Sequence, residues 1–466
     1  MNGKRNIIPW IAILLLLSIE SIYGRNDTIY HFSLAEAQAY ALENNTKIVN
    51  AKYDVEIADA RVWETTAMGL PQVSGSVDYQ HIPGEIPTVD FAGGINEVFA
   101  AIFEALQREG IQVDVPMGFE GQESEPVKLA VKNSTTYSAT LSQLIFSGEY
   151  FVGLQASRTY KQLSKNSLEN TELAIKENIS MSYFTILSLE KNKIILDSSL
   201  MNLKSSIRDT RAMYETGMVE ETDIDQLVLN AGNVENSLKS VERTIEISYK
   251  LFKIQMGLPL ETKVQLTENI DNILFNLKIE SPDVSGFNAE ENISYKIAET
   301  QEKLDELNMK REKAMYLPSL NAFYSYQDKT NAPDFDFTIN HIIGFNISVP
   351  IFSSGMRNAK VKQARLEMIK SRNDKQLLEE NLNMQVQQAR YDYESAHEKY
   401  QIQRKNMELS KKIHEKTRVK FEQGVASSLD LTQAHGQYLD STSKYTSAVI
   451  DLLNARINLD KILNRL

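Results

Sequence analysis

The fold is decided by the stretch from Gly355 to Gly424, GMRNAKVKQARLEMIKSRNDKQLLEENLNMQVQQARYDYESAHEKYQIQRKNMELSKKIHEKTRVKFEQG. Between its two terminal glycines lie about 68 residues with neither glycine nor proline, many more than an average globular helix contains. At 1.5 Å per residue, such a helix is about 100 Å long. The sequence therefore predicts a rod-like helix.

An apolar seam runs along the middle of this stretch. Its members are separated alternately by four and three residues, which is the 3.5-residue period of a left-handed coiled coil. They are Leu382, Val386, Ala389, Tyr393, Ala396 and Tyr400. Most other positions are polar, so we expect this helix to pack laterally against similar helices while its sides stay in water.

The chain contains an earlier copy of this stretch. A shift of 207 residues aligns Gly148 with Gly355, Arg158 with Arg365, Arg211 with Arg418, Gly217 with Gly424 and Asp223 with Asp430. The earlier seam consists of Ile186, Leu189, Leu196, Leu200, Leu203 and Ile207. Upstream the shift becomes 247, where Asn45 aligns with Asn292 and Ala67–Pro71 with Ala314–Pro318. The chain is therefore a tandem duplication with an insertion of about 40 residues in its first copy.

Composition and charge exclude several classes of protein. The 466 residues are 42% hydrophobic and 24% charged, which fits neither a disordered chain nor a polytopic helical membrane protein. The net charge of −12 and the lack of basic clusters argue against nucleic acid as a partner. With no cysteine, the chain has no disulfide, thiol catalyst or cysteine-based metal site.

Residues 1–24 are predicted to be a secretory signal peptide. Lys4 and Arg5 precede an apolar core of about 13 residues, and Gly24 is a plausible cleavage residue. The core is too short to span a bilayer as a helix; the alternative is an uncleaved membrane anchor. No other segment reaches 18 continuous apolar residues, so any further membrane span must consist of strands.

Four segments of about ten residues alternate between apolar and polar residues, the period-two pattern of β-strands. One pair follows Pro71 and the other follows Pro318. The alternating positions are Val73, Gly75, Val77 and Tyr79, then Tyr137, Ala139 and Leu141, then Leu320, Ala322, Tyr324 and Tyr326, and finally Ile343, Phe345, Ile347 and Val349. Only Phe323 departs from the alternation in its segment.

The same alternation is typical of two structures. One is a soluble antiparallel sheet with a buried face, and the other is a transmembrane β-barrel with a wet lumen. The second is favoured because each strand pair is a hairpin whose ends continue into long helices, in a chain predicted to be secreted. Four strands cannot close a barrel, and lipid does not tolerate open sheet edges. A transmembrane sheet therefore requires an oligomer.

The repeats predict the organisation of the chain. The first repeat covers 25–257, with helices in 33–68, a β-hairpin at 71–147 that carries an inserted loop at 80–136, and long helices at 149–216 and 223–256. A linker at 258–288 leads to the second repeat at 289–466, with a helix at 289–316, a β-hairpin at 318–352 and long helices at 356–421 and 428–464. The inserted loop is either a functional lid or binding loop, or a tolerated expansion.

This arrangement resembles the TolC-type outer-membrane efflux proteins. The resemblance rests on the duplicated plan, on Leu-Pro before the strands at Pro71 and Pro318, and on the passage from strand to long helix at 144–148 and 349–355. It also rests on a turn with an aromatic residue, a glycine three positions later and an acidic residue six positions after that. These are Tyr214, Gly217 and Asp223 in the first copy, and Phe421, Gly424 and Asp430 in the second.

The resemblance implies a mainly α fold with a small β part. Long coiled-coil hairpins would form an α-barrel, and four transmembrane strands per chain would close a 12-stranded barrel in a homotrimer. The implied partners are a periplasmic adaptor of the membrane fusion type, an inner-membrane RND or ABC transporter, and outer-membrane lipid. Such a channel would span the outer membrane, extend a helical tunnel into the periplasm and give passive exit in multidrug efflux or type I secretion, without cofactor or enzymatic activity.

The family's periplasmic constriction is formed by aspartates near the second turn. Asp430 matches the first of them, whereas Gln433 and Ala426 replace other residues of the usual network. The candidates for a gate are Asp223, Asp430, Glu220, Glu221 and Asp225. The candidates for the turn and for adaptor contact are Gly217, Gly424, Arg211, Arg418, Tyr214 and Phe421. The carboxylates would favour cations in a trimer, or they simply cap and solubilise the helix starts.

Catalytic motifs are missing from the sequence. The six histidines are scattered, and His397, His414 and His435 have no possible metal ligand three or four residues further on. The fourteen methionines do not cluster, which favours packing over copper export. The alternatives to a channel are a secreted trimeric coiled-coil adhesin or scaffold without a pore, and an enzyme, which would need a clustered site.

Overall fold

The computed structural model describes residues 29–86, 88–89, 91–111, 127–128, 130–276, 286–333, 336 and 338–466. The predicted signal peptide and parts of the inserted loop and of the linker lie outside the described residues.

Helices form most of the described chain, and the predicted class, mainly α with a small β part, is confirmed. The helices are α1 Leu34–Asn44, α2 Thr46–Ala67, α3 Phe91–Arg108, α4 Gly148–Glu215, α5 Glu221–Met256, α6 Ile270–Asn276, α7 Ile293–Ala314, α8 Met356–Glu422 and α9 Ser428–Ile462. The strands are β1 Ile29–Phe32, β2 Gln72–His81, β3 Thr88–Val89, β4 Val127–Lys128, β5 Asn133–Ser147, β6 Lys263–Leu266, β7 Ser319–Thr330 and β8 His341–Ser348. None of the described helices is both long and apolar enough to cross a membrane.

The chain divides into two compact units. Of the described residues, the first contains those within Met1–Asp54, Lys165–Ile297 and Gln376–Leu466, and the second contains those within Val55–Ser164 and Ala298–Lys375. Both units include parts of the long helices α4 and α8.

The first unit buries the predicted seam of α8 and most of the predicted seam of α4, in which Leu189 and Ile207 are half-buried. All six seam residues of α8 are at most 9% exposed. In α4 the seam residues Leu196, Leu200 and Leu203 are buried against the α5 residues Leu227 and Val234. Because each helix is apolar along one narrow line only, the core follows the helices as a series of clusters.

The linker of the first unit is more ordered than the sequence indicates. We predicted loosely patterned chain from residue 258 to 288, but β6 pairs there in parallel with β1, and Ile29 lies opposite Lys263. The adjacent α6 packs Ile270 and Leu274 into the core. Segments of four and seven residues carry too little periodicity for sequence analysis to detect.

A buried asparagine in each repeat confirms the duplication at atomic level. The Nδ2 atoms of Asn45 and Asn292 donate to the backbone carbonyls of Gln255 and Ile462, at 2.5 and 3.2 Å. In both repeats the asparagine Oδ1 accepts from the backbone N–H two residues further on. Each asparagine therefore begins one helix and ties it to the end of the returning helix.

The second unit contains an antiparallel sheet in the order β2-β5-β7-β8. The β2–β5 ladder extends from Gln72 opposite Ser142 to His81 opposite Asn133. The inserted loop is therefore shorter than predicted and runs from 82 to 132, because Gln80, His81 and residues 133–136 belong to the ladder. The loop contains α3 and the short pair β3–β4.

The register of this sheet separates its two faces. One row of paired residues crosses all four strands, in the order Val73 of β2, Leu141 of β5, Tyr324 of β7 and Ile343 of β8. The period of two therefore places the apolar positions of all four strands on one face. This apolar face is exposed: Val73 is 77% exposed, Ile343 78% and Phe345 71%.

The opposite face of the sheet is polar. Ser76 and Ser138 share a hydrogen bond of 2.8 Å, and Thr140 and Ser325 share one of 3.2 Å. Phe323, the exception in the sequence pattern, lies opposite Gly344 on this face. A Cβ atom at residue 344 would lie 2.7 Å from Phe323 Cζ, so the aromatic ring occupies the space left by the glycine.

Candidate functional site

The candidate residues of the first unit lie at two turns that connect helices, one between α4 and α5 and the other between α8 and α9. Gly217 and Gly424 adopt left-handed conformations with φ of 77° and 72°. After Gly217 the Met218 N–H donates to the Met213 carbonyl at 2.9 Å, and Val425 donates to Lys420 at 2.8 Å in the second turn. Because these bonds reach back into the last helical turn and need a positive φ, glycine ends both α4 and α8.

Asp430 caps the start of α9. Its Oδ2 accepts from the Ser427 backbone N–H at 3.0 Å and from the Ser427 hydroxyl at 2.7 Å, and Ser427 Oγ accepts from the Asp430 N–H. These hydrogen bonds hold the pKa of the Asp430 carboxyl below its ordinary value, the backbone bond contributing most. Asp430 thus completes a capping box.

Asp223 joins the two turns. Its Oδ2 accepts from the Glu220 backbone N–H at 3.0 Å, at the start of α5. Its Oδ1 accepts from the hydroxyl of Ser428, a residue that is only 1% exposed, and Ser428 also donates to Gln226 at 3.3 Å. The sequence predicted Asp223 as a gate candidate but not this contact, which depends on how the two repeats pack.

The remaining charged candidates lie on the surface around this contact. Glu220, Glu221, Asp225 and Arg211 are exposed. Arg418 is half-buried and lies 3.7 Å from Glu422, one helical turn further on. These groups can attract counter-ions or a basic surface, and exposed pairs of this kind contribute little to stability.

The two aromatic candidates differ in burial. Tyr214 is 43% exposed, whereas Phe421 is buried with Leu196 and Leu431. The side chain of Phe421 is therefore a core residue in this conformation. Exposed apolar side chains lie at the turns instead: Met218, Val425 and Leu429 are all at least 60% exposed.

The two proline candidates lie in the second unit. Pro71 directly precedes β2, and Pro318 directly precedes β7. Each ends the preceding turn, because proline fixes φ and lacks an N–H for the helix.

A buried histidine pair close to the second turn was not predicted from the sequence. His435 Nδ1 lies 3.2 Å from His414 Nε2, and His435 Nε2 lies 2.9 Å from Ser199 Oγ on α4. His414 precedes Gly424 by ten residues and His435 follows it by eleven, so the antiparallel pairing of α8 and α9 brings them together. The nearly equal sequence distances of the two histidines from Gly424 could have predicted that they lie side by side. The described residues include no group of three or more His, Asp or Glu arranged to hold a metal ion.

Comparisons with known proteins agree with this geometry. Residues 292–465, almost the whole second repeat, match the outer membrane efflux protein family. The predicted resemblance to TolC-type efflux proteins is confirmed. No functionally curated protein matches the chain by sequence.

The TolC-type fold extends over most of the chain. The Campylobacter jejuni CmeC outer membrane channel is similar to it with a TM-score of 0.70 and 17% sequence identity, over 92% of this chain and 85% of that chain. The outer membrane protein VceC of Vibrio cholerae has a TM-score of 0.67 and 13% identity, over 92% of this chain and 95% of that chain. The open state of the Neisseria gonorrhoeae MtrE outer membrane channel has a TM-score of 0.64 and 15% identity, over 92% of this chain and 88% of that chain. At these identities the similarity establishes the fold, including the first repeat.

Proposed function

We propose that three copies of this chain form a TolC-like channel in the outer membrane. The channel gives passive exit to substrates in efflux or type I secretion. A periplasmic adaptor and an inner-membrane RND or ABC transporter deliver these substrates and supply the energy.

The exposed apolar face of the four-stranded sheet carries this proposal. In water this face would be unfavourable, since apolar area costs about 25 cal/mol for every Å² left in contact with solvent. Facing lipid, it is stable, and the polar face with Ser76, Ser138 and Thr140 then faces a wet lumen.

The two edges of the sheet support the trimer. β2 and β8 are its outer strands, and their unpaired backbone groups need partners within lipid. Pairing β2 of one copy with β8 of the next closes the sheet, and three copies give twelve strands. This number lies within the range of transmembrane barrels, whereas four strands do not close one.

The turns are the proposed surface for the adaptor. Exposed Met218, Val425 and Leu429 supply apolar contact area, and Glu220 and Glu221 surround it with negative charge. We therefore propose an adaptor surface that is apolar with a basic rim.

The contact between Asp223 and Ser428 is the proposed latch of the periplasmic mouth. It holds the start of α5 to the start of α9, so the mouth opens when the two turns separate. Asp430 supports the latch by ordering the α9 start that carries Ser428.

Single-channel conductance in a planar bilayer tests this function. The purified chain should give discrete, cation-selective steps, and the double substitution Asp223→Ser, Asp430→Ser should enlarge them. Asp440→Ser is the control, because Asp440 is exposed and pairs with Lys444 one helical turn away. If the conductance steps of the double variant were unchanged, the proposed channel would stand and the proposed latch would be rejected. The absence of steps from folded trimer would reject the channel.

The adhesin alternative is not favoured. The second repeat matches an efflux family, and an adhesin would have no use for an exposed apolar sheet face.

A further inference from the structure

Two histidines are buried together where three helices of the first unit meet. His435 is 1% exposed and His414 8% exposed, and their rings lie 4.9 Å apart between centroids. His414 also stacks on Tyr438 at 5.6 Å and 8°. Ser199 on α4, His414 on α8 and His435 on α9 thus form one chain of hydrogen bonds.

This chain of hydrogen bonds is complete only when the imidazoles are not both charged. A single proton fits between His435 Nδ1 and His414 Nε2 at 3.2 Å. If both rings were protonated, two N–H groups would point at each other, and two positive charges would lie in a buried space. The neutral pair therefore stabilises the packing, and the doubly charged pair opposes it.

The groups around the pair do not neutralise this charge. On α8, Lys411 and Arg418 face the cleft beside His414, together with the carboxylate of Glu415. The other elements contribute neutral side chains to the same cleft: Ser198, Ser199 and Asn202 from α4, and Tyr438 from α9. Burial opposes protonation of His414, and Arg418, although it also pairs with Glu422, opposes it more than Glu415 favours it.

We propose that His414 and His435 are a proton sensor that loosens the packing of α4 against α8 and α9 near the turns when the pH falls. Eight residues separate His435 from the cap residue Ser427, about 12 Å along the helix. The sensor therefore acts close to the latch between Asp223 and Ser428. The further step, that this loosening opens a channel, rests on the proposed function. The loosening itself does not depend on that function.

The direction follows from the titration of the two groups. Burial, and then the neighbouring His414, lower the pKa of His435 from 6.5 to about 4. Burial, and then Arg418, lower the pKa of His414. Since both folded-state pKa values are depressed, the unfolded chain binds more protons in this range. The packing is fully stable above about pH 6.5 and loses stability as the pH falls towards 4.

Distance measurements between spin labels on the full-length protein test the sensor. The chain has no cysteine, so Met218→Cys and Val425→Cys introduce one label at each exposed turn. The label distance should lengthen between pH 7.5 and pH 4.5 and return on neutralisation. His414→Gln with His435→Gln should abolish the change, because the amides keep polar groups but do not titrate. His397→Gln, a histidine of α8 outside the pair, should leave it intact.

Each outcome of this experiment decides the proposal. A constant distance in the parent protein, or a shift that persists in the double variant, overturns the sensor. If the double variant does not assemble, ¹⁵N spectra of the parent protein decide instead: His414 and His435 must take up protons over the same pH range in which the label distance changes, and a distance change without protonation of either ring overturns the proposal. A distance change in protein that shows no conductance would reject the channel and keep the sensor.

Discussion

Single glycines of this chain have the same backbone conformation but different surroundings. Gly257 and Gly217 both have φ of 77°. A Cβ atom at Gly257 would lie 2.2 Å from the Asn44 carbonyl oxygen, whereas a Cβ atom at Gly217 would point into open space in the described part of the chain. The positive φ alone costs a non-glycine residue about 1 kcal/mol.

We therefore expect Gly257→Ala to destabilise the protein by about 3 kcal/mol and Gly217→Ala by about 1 kcal/mol. Thermal unfolding of both variants in the same detergent would measure the difference. Equal losses would mean that the backbone around Asn44 moves away at little cost, so the contact between α1 and the end of α5 would not be rigid.

The residues that sequence analysis found are those whose role depends on their neighbours in the chain. Seam positions such as Val386 and Tyr393 follow from the 3.5-residue period, and Gly424 follows from the end of an apolar repeat. Ser428 and His435 were missed, because their partners Asp223 and Ser199 lie more than 200 residues away. Local periodicity does not contain that information.

At the scale of elements, an ionised side chain caps the start of α9. The hydrogen bonds from the Ser427 backbone and hydroxyl lower the pKa of Asp430, so the cap is fully formed above the ordinary carboxyl pKa of 3.8. The stabilisation is lost as the pH falls through the lowered folded-state value. This range lies below the one in which the histidine pair responds.

We expect the first turn of α9 to fray at acidic pH below that value. Hydrogen exchange of the Asp430 and Leu431 amides, corrected for the intrinsic effect of pH, should lose protection there. Asp430→Asn should exchange faster at neutral pH and show no such step, because the amide accepts a weaker bond and does not titrate. Equal protection in parent and variant would mean that packing of Leu431 alone holds this turn.

The elements themselves differ in how far sequence predicts them. The long helices were predicted because neither glycine nor proline interrupts their seams, and the four strands because their alternation is regular. The pair β1–β6 was missed, since parallel strands 234 residues apart leave no local signal. The β2–β5 ladder was longer than predicted for a related reason: its last pairs, such as His81 opposite Asn133, are polar and do not continue the alternation.

At the scale of the whole molecule, the same substitution is expected to have opposite effects on the two faces of the sheet. Phe345 and Asn346 are adjacent in β8, so their side chains point to opposite faces. In the proposed channel Phe345 faces lipid and Asn346 faces the lumen. An arginine is costly at the first position and can be hydrated at the second.

We therefore expect Phe345→Arg to reduce the amount of assembled trimer in the outer membrane, with a cost of about 2–4 kcal/mol per chain if the residue lies near the bilayer midplane. Asn346→Arg should assemble normally and shift the reversal potential towards anions, because three positive charges would line the lumen. Trimer yield on gels without heating and ion selectivity in planar bilayers measure the two effects. If Asn346→Arg prevented assembly while Phe345→Arg did not, the apolar face would have to face a protein interior, and the sheet would not span the membrane in this orientation.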